Sequence, residues 1–434
     1  MKRIFLLDSL WLISLCAYII IGTSITPFHG DESTLLFMNR DYDYQFIQRD
    51  LSKIYFTTPP INQTEQELRL LNGTVYKYVV GFARTIRGIG IDGLNEFWDW
   101  TGDIAYNRQT NRYPSDDLLM TARYVIMPFL ALGVIALFFI TKNLGGRFPA
   151  YLATAYFALN PPLLLNGRRA MMESLLVGFC LLTLLCAIWW IKRPSWRNTA
   201  FLGMSAGLAI SSKHPAILTL VPIFGVCGLI ALSQKNRVML LAKIISSGLI
   251  VIGIFFALNV SWWQNPIDSA REVLRLRGDL LTVQVAIFGG YDGFGDQLRG
   301  FWEQVFLAQP QFYEVADWSE YIGDQIATYE SSLWDGVALG GHPILGVIIT
   351  LLTILGIWAC LRIKSAPLGV RWLVVIWGIF QLITSLFLTP LEWQRYYLMA
   401  YPAVAIFASM GILWLKNRLV RVQNVRAQHV APHM

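Results

Sequence analysis

The stretch "TPFHGDEST" (26–34) places two adjacent carboxylates, Asp31 and Glu32, just after an apolar run. A carboxylate there is either a polar stop for a helix or a proton acceptor. Two neighbouring carboxylates can divide labour, one taking a proton while the other holds a cation or a donor. Consecutive helical positions do not share a face, so only one of the pair points into any given cavity. "NGRRAMMES" (166–174) adds Arg168, Arg169 and Glu173 in a tight turn. An arginine pair suits a phosphate, because each guanidinium donates through a planar fork. The blander alternative is a set of solvated loop charges, with Glu173 favouring the start of the next helix. Arg123 in "TARYVIMP", Lys77 in "NGTVYKYVVG", Lys213 and His214 in "SSKHP" and Arg395 in "EWQRYY" enlarge the cationic set. Arg123 falls within an apolar run, where it is costly unless paired, facing a wet cavity or snorkelling to the interface. An anionic lipid headgroup is the simplest ligand for such a group of cations.

The elements that must position these residues are membrane helices. Hydrophobic residues make up 55% of the 434-residue chain and charged residues 15%, against about 25% charged in a soluble domain. Mean hydropathy is +0.47. Continuous apolar runs approach the roughly 20 residues that cross a bilayer, and they do not alternate as barrel strands would. Ten spans are expected, at about 4–26, 119–141, 149–165, 174–191, 199–212, 215–232, 238–262, 343–361, 370–388 and 396–415. The fold class is an all-α polytopic membrane protein with two long outer segments. An N-terminal catalytic module covers 1–262 and includes the first outer loop, 27–118; the second outer segment is 263–341, C-terminal helices cover 342–415, and a basic tail covers 416–434. "YQFIQRDLSKIYF" (44–56) and "NPIDSAREVLRLRGDLL" (265–281) suit helices lying along the membrane surface. Trp98, Trp100, Trp262 and Trp263 suit interfacial anchoring.

Orientation follows from the short loops. Lys2 and Arg3, Lys142 and Arg147, Lys192, Arg193 and Arg197, Lys235 and Arg237, Arg362, Lys364 and Arg371, and the tail share one side, which should be cytoplasmic. Both termini then lie there, and the chemistry-bearing residues converge on the outer face. The net charge of +7 is thus explained without nucleic acid. The cysteines all fall in apolar runs, so neither a disulfide framework nor a cysteine metal site is expected. "GGYDGFGDQ" (289–297) is glycine-rich but follows no strand, so it is not read as a nucleotide cradle.

The order of these elements resembles the glycosyltransferase C superfamily, and within it the protein O-mannosyltransferase and aminoarabinose-transferase type. The resemblance rests on a first span ending in "HGDE", "Y-K-Y-x-x-G" at 76–81, the run from "ARYVIMP" to "NGRRAMMES", "G-L-A-x-x-x-K" at 207–213 and "EWQRYYLMAYPAVAIFA". It implies a membrane glycosyltransferase moving a hexose or pentose from a polyprenyl-phosphate donor to a hydroxyl of a protein, lipid or glycan, with inversion. It implies Asp31 as general base supported by Glu32, and donor-phosphate contacts from Lys77, Arg123, Arg168, Arg169 and Arg395. Glu173 is a supporting acid, and Lys213 and His214 are further candidates. No metal ligand is assigned, although a divalent ion near Glu32 and Glu173 is left open. The expected location is the plasma membrane, with the site facing outward. Two departures bear on the substrate. Many relatives carry His-Pro-Pro or Lys-Pro-Pro before the "Y-x-Y" element, where this chain has Asn72-Gly73-Thr74-Val75, and Glu173 replaces a frequent Asp. The alternative is a lipid or glycolipid flippase, which would also place charges in a polar cavity. The charges here gather at one face and no paired repeat is visible, which disfavours it.

Overall fold

The computed structural model describes residues 2–314 and 319–430, and among them it contains no strand. Helices of eight or more residues are numbered in chain order: α1 (Lys2–Ile21), α2 (Gly30–Phe37), α3 (Gln63–Leu71), α4 (Thr74–Ile86), α5 (Asp116–Gly145), α6 (Arg147–Ala158), α7 (Pro161–Arg168), α8 (Glu173–Lys192), α9 (Trp196–Ser212), α10 (Ile217–Leu232), α11 (Arg237–Leu258), α12 (Pro266–Phe288), α13 (Phe294–Trp302), α14 (Ser319–Glu330), α15 (Pro343–Arg362), α16 (Leu368–Phe387) and α17 (Ala400–Val430).

Among the described residues, eight segments are long and apolar enough to cross a membrane. They correspond to eight of the ten expected spans. The expected third span is two helices. Asn160 caps α7 by accepting the Leu163 N–H at 3.1 Å, and Pro161 and Pro162 open that helix. Proline cannot continue a helix from behind it, so the run breaks here. The 12 residues of α6 reach about 18 Å, short of the roughly 30 Å hydrocarbon core. The expected fifth span, α9, has 17 residues and is also short for a full crossing.

Burial grades the helices by position. α8 is enclosed on nearly all sides and packs against α5 and α9, whereas α11 exposes most of its surface. α15 packs along α17, and α10 against α16. α5 starts cleanly because Ser115 accepts the Leu118 N–H. It ends at Gly146, whose φ of +86° suits a residue without Cβ.

Two expectations about the outer segments change. Residues 44–56 do not form one surface helix. A π-turn over Asp43–Ile47 and a 3-10 turn over Leu51–Lys53 are separated by Arg49, whose φ of +57° is incompatible with helix continuation. Trp98 is not an interfacial anchor: it is 1% exposed, its ring 5.5 Å from that of Phe28. Residues 266–281 do lie within one helix, α12, with Asn265 as its N-cap and Ile267, Leu274 and Leu281 exposed.

Candidate active site

The cap of α2 separates the two adjacent carboxylates. His29 is the N-cap: its Nδ1 accepts the Asp31 N–H at 3.1 Å, while its own backbone N–H donates to Glu32 Oε2 at 3.0 Å. This reciprocal box fixes the direction of both carboxylates. Glu32 points inward and has no solvent exposure. Arg123 grips it through Nε and Nη2, both at 2.7 Å, and the Ala170 N–H donates at 2.6 Å. The third arm of Arg123 donates to the Thr26 carbonyl at 2.6 Å. Burial of both charges is tolerable because every arm has a partner.

Asp31 faces the other way, into a cavity of about 650 Å³. Its side chain keeps 23% exposure and contacts Arg395. The second arm of Arg395 is 3.2 Å from Glu314 Oε2, so one guanidinium lies between the carboxyl groups of Asp31 and Glu314. His29 Nε2 stands 3.8 Å from the same Glu314 oxygen. Burial pushes the Glu314 carboxyl up to about 8; Arg169 and Lys213 pull it down, and Glu173 adds to the rise. Burial, with Arg169 and Arg395 nearby, holds His29 well below the usual imidazole range, so it stays neutral. The remaining cations of the cavity wall are Lys213 and Arg277. Lys213 donates to Glu173 at 2.5 Å, and Arg277 donates to the Leu71 carbonyl. Leu280, Val283 and Ile287 of α12 extend the wall beyond Arg277 as an apolar strip.

The other candidate cations are engaged elsewhere. Lys77 is 3% exposed and donates to Asp41 at 2.7 Å. Arg69 takes the other Asp41 oxygen at 2.7 Å and reaches Glu65 at 2.5 Å. Arg168 is fully buried; it donates to the carbonyls of Tyr18 (2.9 Å), Ile19 (2.8 Å) and Trp334, and to the Tyr329 hydroxyl (3.0 Å). It lies against Gly22, where a Cβ would meet the guanidinium at 2.4 Å. Arg169 donates to the carbonyls of Pro27 (3.2 Å) and Phe312 (2.6 Å). His214 opens the turn after α9, outside the cavity wall. The structure therefore brings together Asp31, Glu173, Lys213 and Arg395, and sets Glu32, Lys77, Arg123, Arg168, Arg169 and His214 away from the cavity surface.

Two charged cavity residues, Glu314 and Arg277, were not singled out from the sequence. Glu314 follows no motif. Arg277 had a usable signal, since Arg277, Leu280, Gln284 and Ile287 recur at helical spacing and line the cavity together. Among the described residues no group of three or more His, Cys, Asp and Glu side chains could hold a metal ion. Asp31 and Glu314 would be the natural pair, but the Arg395 guanidinium already supplies the positive charge between them. Glu32 is likewise committed to Arg123, whereas Glu173 is bound to Lys213 through Oε1 and leaves Oε2 without a hydrogen bond.

The architecture has known counterparts. The ArnT of Cupriavidus metallidurans superposes with a TM-score of 0.51 in its apo state, at 13% identity, covering 99% of this chain and 64% of that one. The ArnT structure bound to undecaprenyl phosphate gives 0.50, at 12% identity, with 97% and 63% covered. The oligosaccharyltransferase of Archaeoglobus fulgidus, solved with Zn and sulfate, gives 0.53, at 14% identity, with 98% and 51% covered. This chain has the glycosyltransferase C fold. The fold implied by the motif order is thereby borne out. The sequence profile of the family described as dolichyl-phosphate-mannose-protein mannosyltransferase matches residues 90–269. No curated protein sequence matches the chain. The chain spans less than two thirds of the length of each of these three structures.

Proposed function

We propose that the protein is a multi-pass membrane glycosyltransferase that moves a sugar from a polyprenyl-phosphate donor to an acceptor hydroxyl. The observation that carries this reading is the position of Asp31: the cap of α2 turns it into a cavity that combines three cations with an apolar wall. A sugar joined to a lipid phosphate presents the matching features, an anion next to a long hydrocarbon. The mannosyltransferase profile and the ArnT bound to undecaprenyl phosphate support the donor class.

In this mechanism the acceptor oxygen attacks the anomeric carbon as Asp31 takes its proton. The bond from that carbon to the phosphate oxygen breaks, and its electron pair leaves with the lipid phosphate. Lys213, Arg277 and Arg395 stabilise the charge growing on that oxygen, which is where preorganised electrostatics contribute most. Arg395 passes from Asp31 to the phosphate, and Glu314 keeps it in place. Leu280, Val283 and Ile287 receive the first isoprene units. Glu32 acts at one remove, by holding α2 so that Asp31 faces the cavity. The cavity opens on the outer side of the plasma membrane and both termini are cytoplasmic, which agrees with the basic residues at the opposite ends of the helices.

The test is Asp31→Asn, which keeps the size of the side chain and removes its basic oxygen. Release of polyprenyl phosphate from a polyprenyl-phosphate hexose in native membranes should fall by about 10²–10⁴-fold. The melting temperature and the retention of donor lipid, read by mass spectrometry, should be unchanged. Turnover at the wild-type level would overturn the assignment.

A further inference from the structure

A second cavity, of about 340 Å³, lies at the far end of α8 from the first. Glu173 at the start of α8 lines the first cavity and Lys192 at its end lines the second. The 20 residues of α8 span about 30 Å, the thickness of the hydrocarbon core. Trp189, Lys192, Arg193, Arg197, Asn198 and Phe201 form its wall. There is no carboxylate in that wall. Among the described residues, none of the three cations has an ion-pair partner; Lys192 contacts only the Asn143 side-chain oxygen. Lys142 and Arg147 offer a contrast, because Asp8 binds them at 2.7 and 3.0 Å. A bias of basic residues toward one membrane face accounts for where these charges lie, but not for three of them converging without a counter-charge.

The concavity is held by a braced turn. Asn198, 7% exposed, donates to the carbonyls of Trp189 (3.2 Å) and Arg193 (2.8 Å). The Ser195 hydroxyl accepts the Asn198 N–H at 3.2 Å. Lys243 reaches in from α11 to the Pro194 carbonyl at 2.6 Å and lies over the Trp196 ring. Trp189, Trp196 and Phe201 are 39%, 59% and 45% exposed around the rim. Exposed aromatics beside unneutralised cations mark the depth at which headgroups meet acyl chains.

We infer that this cavity is a binding site for the phosphate headgroup of an anionic glycerophospholipid, with Trp189 and Phe201 against its acyl chains and Lys192, Arg193 and Arg197 on its phosphate. The site does not depend on the reading of the first cavity, and a wrong catalytic assignment would leave it standing.

Native mass spectrometry of the full-length protein, taken from nanodiscs containing phosphatidylglycerol and phosphatidylcholine, tests the inference. The wild type should retain phosphatidylglycerol selectively. The combined variant Lys192→Gln, Arg193→Gln and Arg197→Gln should retain about tenfold less or lower still, given the affinity each basic residue adds at an anionic surface. The matched variant Lys235→Gln, Arg237→Gln and Lys364→Gln removes the same charge from exposed positions and should retain the lipid. Arg193→Lys with Arg197→Lys keeps the charge and should retain most of it, which separates a lost site from a misfolded turn. Equal loss in both neutralised variants, or loss in neither, would overturn the site. Inorganic phosphate raising the melting temperature in detergent as much as phosphatidylglycerol does would also overturn it, because the ligand would then be a free anion.

Discussion

Behind α2 the charges are closed; in front of it they are open. Glu32 and Arg123 use their arms on each other, on two backbone N–H groups and on a carbonyl. Asp41, Lys77 and Arg69 form a similar closed set. In the cavity, Asp31 stays partly exposed, one Glu314 oxygen has no hydrogen bond, and Arg395 leaves its Nε unpaired. A charge whose bonding capacity is filled by the protein can only hold the protein. A charge with capacity to spare can hold something else. This difference separates structural from chemical ionic groups more sharply than residue type does.

The largest expected effect would break the closed set. Arg123→Met leaves Glu32 buried without its partner, which costs about 3–5 kcal/mol. It should appear as loss of folded protein in size-exclusion chromatography and a lower melting temperature. A folded variant with normal stability would mean that the Glu32 contact is not closed. The next test concerns Glu314. Its native carboxyl is raised to about 8 from an ordinary 4.5, so between those values the native state holds a proton that the unfolded chain has lost. Stability therefore falls as pH rises from about 5 to 8 and levels off above. Glu314→Gln should flatten that part of the melting-temperature profile, and an unchanged slope would place the titration elsewhere. The smallest effects compare two arginines of α12. Arg277→Gln removes a cavity cation that acts on the growing charge and should lower kcat/KM for the donor about tenfold, with kcat falling too, as expected for a charged hydrogen bond. Arg275, two positions away, is bound to Glu272 and Asp279 on the exposed face. Arg275→Gln should alter neither kcat/KM nor, by more than about 1 kcal/mol, the stability.

The helical class and the order of elements were legible in the sequence, because apolar run length and turn residues are local quantities. It placed Asp31, Lys213 and Arg395 in the set that the cavity unites. It did not distinguish them from Lys77, Arg123 and Arg168, since what divides the two groups is the partner. Asp41 lies 36 positions from Lys77, and Glu32 lies 91 from Arg123. The Tyr18 and Ile19 carbonyls that occupy Arg168 carry no side-chain signal at all. The break in the third span was visible as Asn160-Pro161-Pro162, although the apolar run continues through it.

Arg168 also sets the mechanics of the molecule. It pins the carboxyl end of α1 to Tyr329 and Trp334 of the second outer segment through four hydrogen bonds. The same segment is tied down at further points: Arg169 donates to the Phe312 carbonyl, the Phe28 N–H donates to Gln325, and Arg277 donates to the Leu71 carbonyl. The wall of the cavity is therefore stitched along its length, and the loss of any single bond leaves the others to hold it.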